Sequence, residues 1–168
     1  MQAKSWIIRQ RKLATEFCRN CRCCTQTRGN ERGVCQIDDD VRSIVALADQ
    51  SEALVLASPV NMYDVTAVTR MFLERLIPCG YWPWGQGGPT WRNREPARLS
   101  ILITSTAMPA IMARYFTRSM KSLKDMSKCL CAKPVDRVYL GMMASRLDQP
   151  LPDRAKRRVR RAAGRLLD

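Results

Sequence analysis

The sequence predicts an α/β fold in which helices cover both faces of a parallel sheet. Segments typical of strands and of helices alternate along the chain, which is the pattern of βαβ units. The strand segments at 53–57 and 99–104 are apolar without polar alternation, as in parallel strands that are buried on both faces. The chain has 168 residues, of which 46% are hydrophobic, so we expect a single domain over residues 1–168 with a sizeable core.

Composition excludes several classes of function. The net charge of +14 comes from basic residues spread along the chain, without a nucleic-acid motif, so it predicts a solvated basic surface that attracts anionic cofactors. No apolar run is long enough to span a membrane, and residues 1–12 are too charged for a secretory signal, which predicts a cytoplasmic location. The chain contains no histidine, which excludes Ser–His and Cys–His catalysis and histidine-ligated metals.

A short predicted strand at 4–9 is followed by a run of cysteines. Cys18, Cys21 and Cys24 form a C-x2-C-x2-C pattern, and Cys35 is available as a fourth ligand. This spacing resembles the thiolate runs that hold iron–sulfur clusters, and four thiolates would also suit zinc. The alternative is a loop of reduced thiols, some of them packed like small hydrophobic side chains. We assign no metal and keep these four residues as candidates.

The next two helices are predicted from caps and periodicity. Three aspartates at 38–40 favour a helix N-terminus, because carboxylates interact favourably with that end of a helix. The apolar face of this helix is Val41, Ile44, Val45 and Ala48. After the strand at 53–57, Pro59 should stop strand pairing, and Asp64 or Thr66 can cap the second helix. The apolar face of the second helix is Val65, Val68, Phe72 and Leu76.

Residues 77–96 are rich in proline, glycine and aromatic side chains, which predicts a long structured loop. Its large aromatic residues are Tyr81, Trp82, Trp84 and Trp91. A loop cannot bury tryptophans by itself, so they must pack on the parent domain, on a second subunit or on a ligand.

The remaining segments continue the alternation. The strand at 99–104 leads into a long predicted helix whose residues at helical spacing are Met112, Tyr115, Phe116, Ser119, Leu123, Met126 and Leu130. We interpret its methionines as core residues. A strand at 135–142 and a basic helix at 152–167 follow, and the apolar face of that helix should pack on the sheet.

Four motifs follow one another in order: Cys18-x2-Cys21-x2-Cys24, Gly33-x-Cys35-x2-Asp38-Asp39, Ser58-Pro59-Val60 and Phe72-Leu73-Glu74-Arg75. Together they resemble the NADPH-dependent FMN reductase family of flavodoxin-like proteins and its iron–sulfur flavoprotein branch. The resemblance covers residues 17–168. It implies a flavodoxin-like three-layer α/β/α fold with FMN at the carboxyl edge of the parallel sheet.

The resemblance also implies an activity and a binding site. The activity is hydride transfer from NAD(P)H through bound FMN to a quinone, flavin or similar acceptor. The implied cofactor-binding residues are Ser58, Pro59, Val60, Asn61, Met62, Thr104, Ser105 and Thr106. No proton-transferring catalytic residue is assigned. The expected assembly is a homodimer, with Trp82 and Trp84 in a lid or subunit contact, and without a nucleic-acid or membrane partner.

The start of the chain departs from the family pattern. The family begins with a strand, a Ser- and Gly-rich phosphate loop and a first helix, and nothing in residues 1–17 resembles them. We therefore expect the first strand and the first helix to be missing, residues 5–9 either to pair beside 53–57 or to stay loosely attached, and FMN to bind weakly. Asn61 also stands where the family usually has a larger ring-contacting group.

Two alternative functions remain open at this point. The cysteines could make the chain an iron–sulfur or zinc electron-transfer protein. The differences from the family pattern in residues 1–17 could instead make the chain a non-catalytic remnant of the family.

Overall fold

A computed structural model describes residues 5–92, 95–146 and 148–166. The α-helices in these ranges are α1 (Asp40–Gln50), α2 (Ala67–Glu74), α3 (Ala110–Phe116), α4 (Ser119–Cys129) and α5 (Asp153–Gly164). The strands are β1 (Ala53–Asn61), β2 (Asp64–Val65), β3 (Gly80–Tyr81), β4 (Thr90–Trp91), β5 (Arg98–Ser105) and β6 (Ala132–Leu140). Short 3-10 helices occur at Gln10–Lys12, Cys23–Thr25 and Ile77–Cys79. Within the described ranges, no helix is both long and apolar enough to cross a membrane.

The main sheet has the strand order β2-β1-β5-β6. β5 lies in the middle and is parallel to both β1 and β6. Ala53 lies opposite Leu99, and Ser105 lies opposite Leu140. The short β2 is antiparallel to the end of β1, whereas β3 and β4 form a separate hairpin. Because β1, β5 and β6 run in the same direction, the loops that follow them meet at one edge of the sheet.

The prediction that Pro59 stops strand pairing is wrong. β1 continues to Asn61, and Pro59 lies opposite Ser105 in register with β5. Within the described residues, β1 pairs with β5 on one side, and on its other side it has no partner over residues 53–59. A strand at a sheet edge tolerates a proline, because half of its backbone donors need no partner in the sheet.

The predicted strand at 4–9 does not form over the described residues 5–9. Trp6 and Ile7 are exposed, and neither β1 nor another described strand pairs with this segment. A short apolar run gains strand structure only when a neighbouring strand pairs with it and a core buries one of its faces. Lys4 lies outside the described residues.

Helices pack on both faces of the sheet, as predicted. On one face, α1, α2 and α4 bury a core around Val41, Phe72, Leu76 and Met126, against which Leu54 of β1 packs. On the other face, α5 buries Ala162 against Ile101 and Val138, with Val159 beside them. Of the predicted caps, Asp39 accepts from the Val41 N–H at the start of α1, and Thr66 accepts from the Thr69 N–H at the start of α2.

The prediction of one long helix across residues 112–130 is wrong, because the helix is interrupted between α3 and α4. Thr117 is extended, and its hydroxyl donates to the Ala113 carbonyl while also contacting the Ser119 hydroxyl. Such side-chain bonds compete with continued helix. Leu123 and Met126 are buried as predicted, but Met112, Tyr115 and Phe116 on α3 are exposed, so Met112 is not a core residue.

Leu102 provides a test of where the core lies. It sits in the middle of β5 with 0% exposure, so Leu102→Ala should lower the free energy of unfolding by about 2–5 kcal/mol in urea denaturation. Val55→Ala is the matched control, because Val55 lies on β1 and is 57% exposed; its cost should stay under about 1 kcal/mol. Equal costs at the two positions would contradict this placement of the core.

Candidate functional site

Three loops meet at the carboxyl edge of the sheet, where β1, β5 and β6 end. The loops after β5 and β6 are joined by backbone bonds: the Met142 N–H donates to the Met108 carbonyl, and the Met143 N–H donates to the Thr106 carbonyl. A Cβ on Gly141 would collide with the backbone nitrogen of Ala110, so glycine is required for this close approach. The ends of β1 and β5 lie side by side, with Ser58 opposite Thr104 and Pro59 opposite Ser105, whereas the cofactor-binding role of residues 58–62 and 104–106 stays a prediction.

Ser58 is buried at this edge and fully hydrogen-bonded within the chain. Its hydroxyl donates to the Pro59 carbonyl at 3.0 Å. It accepts from the Thr66 N–H at 3.2 Å and from the Thr69 hydroxyl at 3.3 Å. The Ser58 hydroxyl therefore fixes the start of α2 relative to β1.

Thr104 and Thr106 are also buried and internally bonded. The Thr104 hydroxyl donates to the Ser119 hydroxyl at 3.2 Å, which ties β5 to the first residue of α4. The Thr106 hydroxyl accepts from the Met108 N–H at 3.3 Å. These hydroxyls shape the loops, whereas Ser105 is only half-buried.

The turn between β1 and β2 exposes large side chains on a left-handed backbone. Met62 has φ 48° and Tyr63 has φ 67°, and the two side chains are 85% and 63% exposed. A two-residue hairpin with positive φ at both positions normally uses Asn-Gly or Asp-Gly. The Arg118 N–H holds the turn by donating to the Tyr63 carbonyl at 2.7 Å. Backbone strain that is held in place by its surroundings is typical of functional sites.

Further apolar side chains are exposed at the same end of the sheet. They belong to α3, which follows β5, and to the loop after β6: Ile111, Met112, Tyr115, Phe116 and Met142. Pro59 and Asn61, both predicted as cofactor contacts, are exposed as well, and Val60 is half-buried. Large apolar side chains that face solvent together often mark a binding or subunit surface.

A separate groove of about 700 Å³ lies between α4 and the outer edge of β6. Its basic side chains are Arg114, Lys121, Lys124, Lys128, Lys133 and Arg137. None of the residues predicted to bind the cofactor lines it. The groove is a concentration of the chain's positive charge, and it lies along the sheet edge rather than at the strand ends.

The cysteine-rich segment, residues 18–35, folds around the buried guanidinium of Arg92. This side chain donates to the carbonyls of Cys24, Thr27, Gly29, Pro78 and Gly80. A Cβ on Gly33 would collide with the Cys24 carbonyl, so the chain does turn back on itself before Cys35, as the cysteine spacing requires. The Arg22 guanidinium lies 3.7 Å from the centre of the Trp82 ring, so that tryptophan packs on this segment.

The cysteine thiols are near one another but do not form a metal-binding set. Burial raises the pKa of the Cys24 thiol to about 11, with Cys35, Cys21 and Cys18 adding to the effect. Across the described residues, no three cysteine, aspartate or glutamate side chains are grouped so that they could hold a metal ion. The thiols as arranged therefore do not fit an iron–sulfur cluster or a zinc ion.

A buried ion pair attaches this segment to the rest of the fold. The Arg75 guanidinium donates to both carboxylate oxygens of Asp39 at 2.5 and 3.1 Å, and to the Glu16 carbonyl at 2.9 Å. It also lies 3.6 Å from the Cys35 sulfur. Burial by itself would raise the pKa of Asp39, but hydrogen bonds from Arg75 and from the N–H groups of Glu16 and Val41 outweigh it and hold the pKa below its ordinary value.

The same strand–helix arrangement occurs in two solved reductases. A flavone reductase superposes with a TM-score of 0.55 at 13% identity, over 92% of this chain and 47% of that one. An FMN-dependent NADH-azoreductase from Bacillus anthracis, solved with FMN, gives a TM-score of 0.57 at 14% identity, over 76% of this chain and 62% of that one. The fold is flavodoxin-like.

A comparison of sequences shows that the chain is similar to a curated protein. An iron–sulfur flavoprotein from Archaeoglobus fulgidus is 27% identical over 106 residues, which are 63% of this chain and 43% of the relative. The chain thus spans less than half of that relative's length. No family model matches the sequence. The resemblance stated from the motifs is confirmed by this relative and by the shared fold.

Removing one partner of the buried Arg75–Asp39 pair should lower stability strongly. Arg75→Met leaves the Asp39 carboxylate buried without its partner, so the free energy of unfolding at pH 7 should fall by about 3–5 kcal/mol. Arg70→Met, on the α2 helix that Arg75 follows, is the matched control, because its pair with Glu74 is exposed; its cost should stay under about 1 kcal/mol. Chemical denaturation measures both values.

The pH dependence of the free energy of unfolding distinguishes loss of the Arg75–Asp39 ion pair from loss of packing around Arg75. The depressed pKa of Asp39 gives stability that is complete above the ordinary carboxyl pKa of 3.8 and is lost as pH falls through the folded-state pKa. In Arg75→Met the unpaired Asp39 protonates at a higher pH, so the gap between the two proteins should narrow on acidification. A gap that stays constant with pH would contradict the ion-pair explanation.

The left-handed turn should cost stability. Replacing Met62 by Asn and Tyr63 by Gly gives the Asn-Gly pair that such turns favour, and keeps the backbone bond from Arg118. The free energy of unfolding should rise by about 1–2 kcal/mol. A decrease in thermal or urea midpoint would mean that the two side chains stabilise the fold and that the turn is not strained.

Proposed function

We propose that this chain forms the FMN-binding part of an NAD(P)H-dependent oxidoreductase that reduces a quinone, a flavin or a similar acceptor. The observation that carries the proposal is the Met62–Tyr63 turn, which presents two large side chains at the carboxyl edge of a flavodoxin-like sheet. In open α/β sheets, ligands bind outside the carboxyl ends of the strands. The FMN-dependent azoreductase with the same fold supports the choice of cofactor.

The side chains at this edge fit a flat, largely apolar ring with polar margins. Met62, Tyr63 and Met142 offer exposed apolar surface, and the exposed Asn61 offers an amide donor and acceptor. Arg118 supplies an exposed cation next to the turn that it holds. These residues would hold the ring and keep water from one of its faces.

Bound FMN would supply the redox chemistry, by accepting a hydride from NAD(P)H and passing electrons to the acceptor. The contribution of the chain would be binding and orientation. Ser58, Thr104 and Thr106 keep the three loops in place through internal bonds, so their effect on a ligand is indirect. We assign no proton-transferring residue.

Assembly and location are part of the same proposal. The exposed apolar residues of α3, among them Tyr115 and Phe116, are suited to a homodimer contact next to the site. Trp84 is exposed and remains a candidate for a lid or a subunit contact. We expect the assembled enzyme to act in the cytoplasm on a small-molecule acceptor.

FMN titration tests the proposal. Quenching of flavin fluorescence should show binding, and Met62→Asp should weaken it about tenfold or more, since a carboxylate would replace apolar contact with the ring. Aspartate tolerates the left-handed backbone at this position, so the turn should be preserved. Val34→Asp, at an exposed apolar residue of the cysteine-rich segment, is the control and should bind FMN like the parent protein.

Other outcomes of the titration and of an absorbance spectrum distinguish the remaining hypotheses about function. Equal FMN affinity in all three proteins would contradict this site, and absence of binding would contradict the proposed function. Tight, stoichiometric quenching would support FMN but show that the expectation of weak binding is wrong. A broad brown absorbance of protein purified without oxygen would favour an iron–sulfur electron-transfer protein instead.

A further inference from the structure

Cys79 and Cys129 form a thiol pair near the start of β6, whereas the candidate flavin site lies beyond the carboxyl ends of the strands. Their sulfur atoms are 2.9 Å apart, although the residues are 50 positions apart in sequence. Both are free thiols: Cys79 is half-buried and Cys129 is buried. A disulfide needs a sulfur separation of about 2.05 Å, so a small movement would join them.

Both cysteines lie on well-anchored backbone. Cys79 ends the 3-10 helix Ile77–Cys79, where its N–H donates to the Leu76 carbonyl and its carbonyl accepts from the Arg92 N–H. Cys129 is the last residue of α4, and its carbonyl accepts from the Arg32 guanidinium at 3.2 Å. Both side chains pack in the core that α1, α2 and α4 share. The two sulfur atoms are therefore held together by the fold.

We propose that Cys79 and Cys129 are a redox-active dithiol that a peroxide converts into an intramolecular disulfide. The Cys79 thiolate attacks one peroxide oxygen, the O–O bond breaks and hydroxide leaves, which gives a sulfenic acid on Cys79. The Cys129 sulfur then attacks the Cys79 sulfur, the S–O bond breaks, and water leaves with the thiol proton. The sum is two thiols and hydrogen peroxide giving one disulfide and two waters.

The surroundings favour Cys79 as the attacking sulfur. A hydrogen bond with Cys129, and then the positive charges of Arg32 and Lys128, lower the pKa of the Cys79 thiol despite its burial. Cys79 is also the less buried of the two, so a small oxidant can reach it more easily. The thiolate is the nucleophile in such reactions.

The disulfide would fasten the β3–β4 hairpin to α4. The hairpin follows Cys79 directly, and its Trp91 ring already lies 3.9 Å from the Lys128 ammonium of α4. A cross-link that spans 50 positions restricts the unfolded chain strongly and should stabilise the oxidised protein. Oxidation would therefore make the segment that carries Trp82, Trp84 and Trp91 more rigid.

Peptide mapping of the full chain tests the proposal. Reduced protein is treated with stoichiometric hydrogen peroxide, remaining thiols are blocked with N-ethylmaleimide, and tryptic peptides are analysed without reduction. We expect a cross-link between peptides 76–92 and 129–137 that dithiothreitol removes. Trypsin leaves Cys129 and Cys131 on one peptide, so Cys131→Ser is the matched control and should retain the cross-link.

Thermal unfolding gives the second measurement. The melting temperature of the oxidised protein should exceed that of the reduced protein by about 5 °C or more, and Cys79→Ser should abolish this difference. Recovery of Cys79 and Cys129 as blocked thiols while other cysteines oxidise would overturn the proposal. So would a cross-link that disappears in Cys131→Ser, or a lower melting temperature after oxidation.

Discussion

The buried carboxylate of Asp39 connects three parts of the chain that are otherwise separate. It caps α1, accepts from the backbone before the cysteine-rich segment, and is held by Arg75 at the end of α2. Asp39 is 6% exposed and Arg75 is 1% exposed by side chain, so neither charge can be left without the other. This requirement restricts how residues 14–39 can pack on the helical layer, although a buried pair adds little net stability by itself.

The sequence predicted the layers well because their signals are local. Buried β5, the cap at Asp39 and the apolar face of α5 are each encoded within a few neighbouring residues. The prediction that the strand at 53–57 is buried on both faces is wrong, because β1 lies at an edge of the described sheet and its Val55 is 57% exposed. The predicted end of β1 was wrong because the effect of a proline depends on whether the strand lies at an edge. The break between α3 and α4 was missed because the Thr117 hydroxyl competes with the helix without interrupting its periodicity.

The candidate site was only partly predictable for a similar reason. The motifs selected the ends of β1 and β5, which lie side by side, but among their residues are hydroxyls that the structure buries in internal bonds, such as those of Ser58 and Thr104. The exposed turn was not recognised, because neither Met62 nor Tyr63 has the residue type that signals positive φ. The contact from the Arg118 N–H comes from a distant part of the sequence, so no local pattern could reveal it.

The free side of β1 has a consequence for how molecules of this chain behave towards one another. The backbone groups of residues 53–59 that point away from β5 face no described strand, and Val55 within this segment is exposed. Such an edge can pair with strands of other molecules. The net charge of +14 opposes such encounters. Since salt shortens the range of charge repulsion to about 10 Å at 0.1 M, the colloidal stability of concentrated solutions should decline as ionic strength rises.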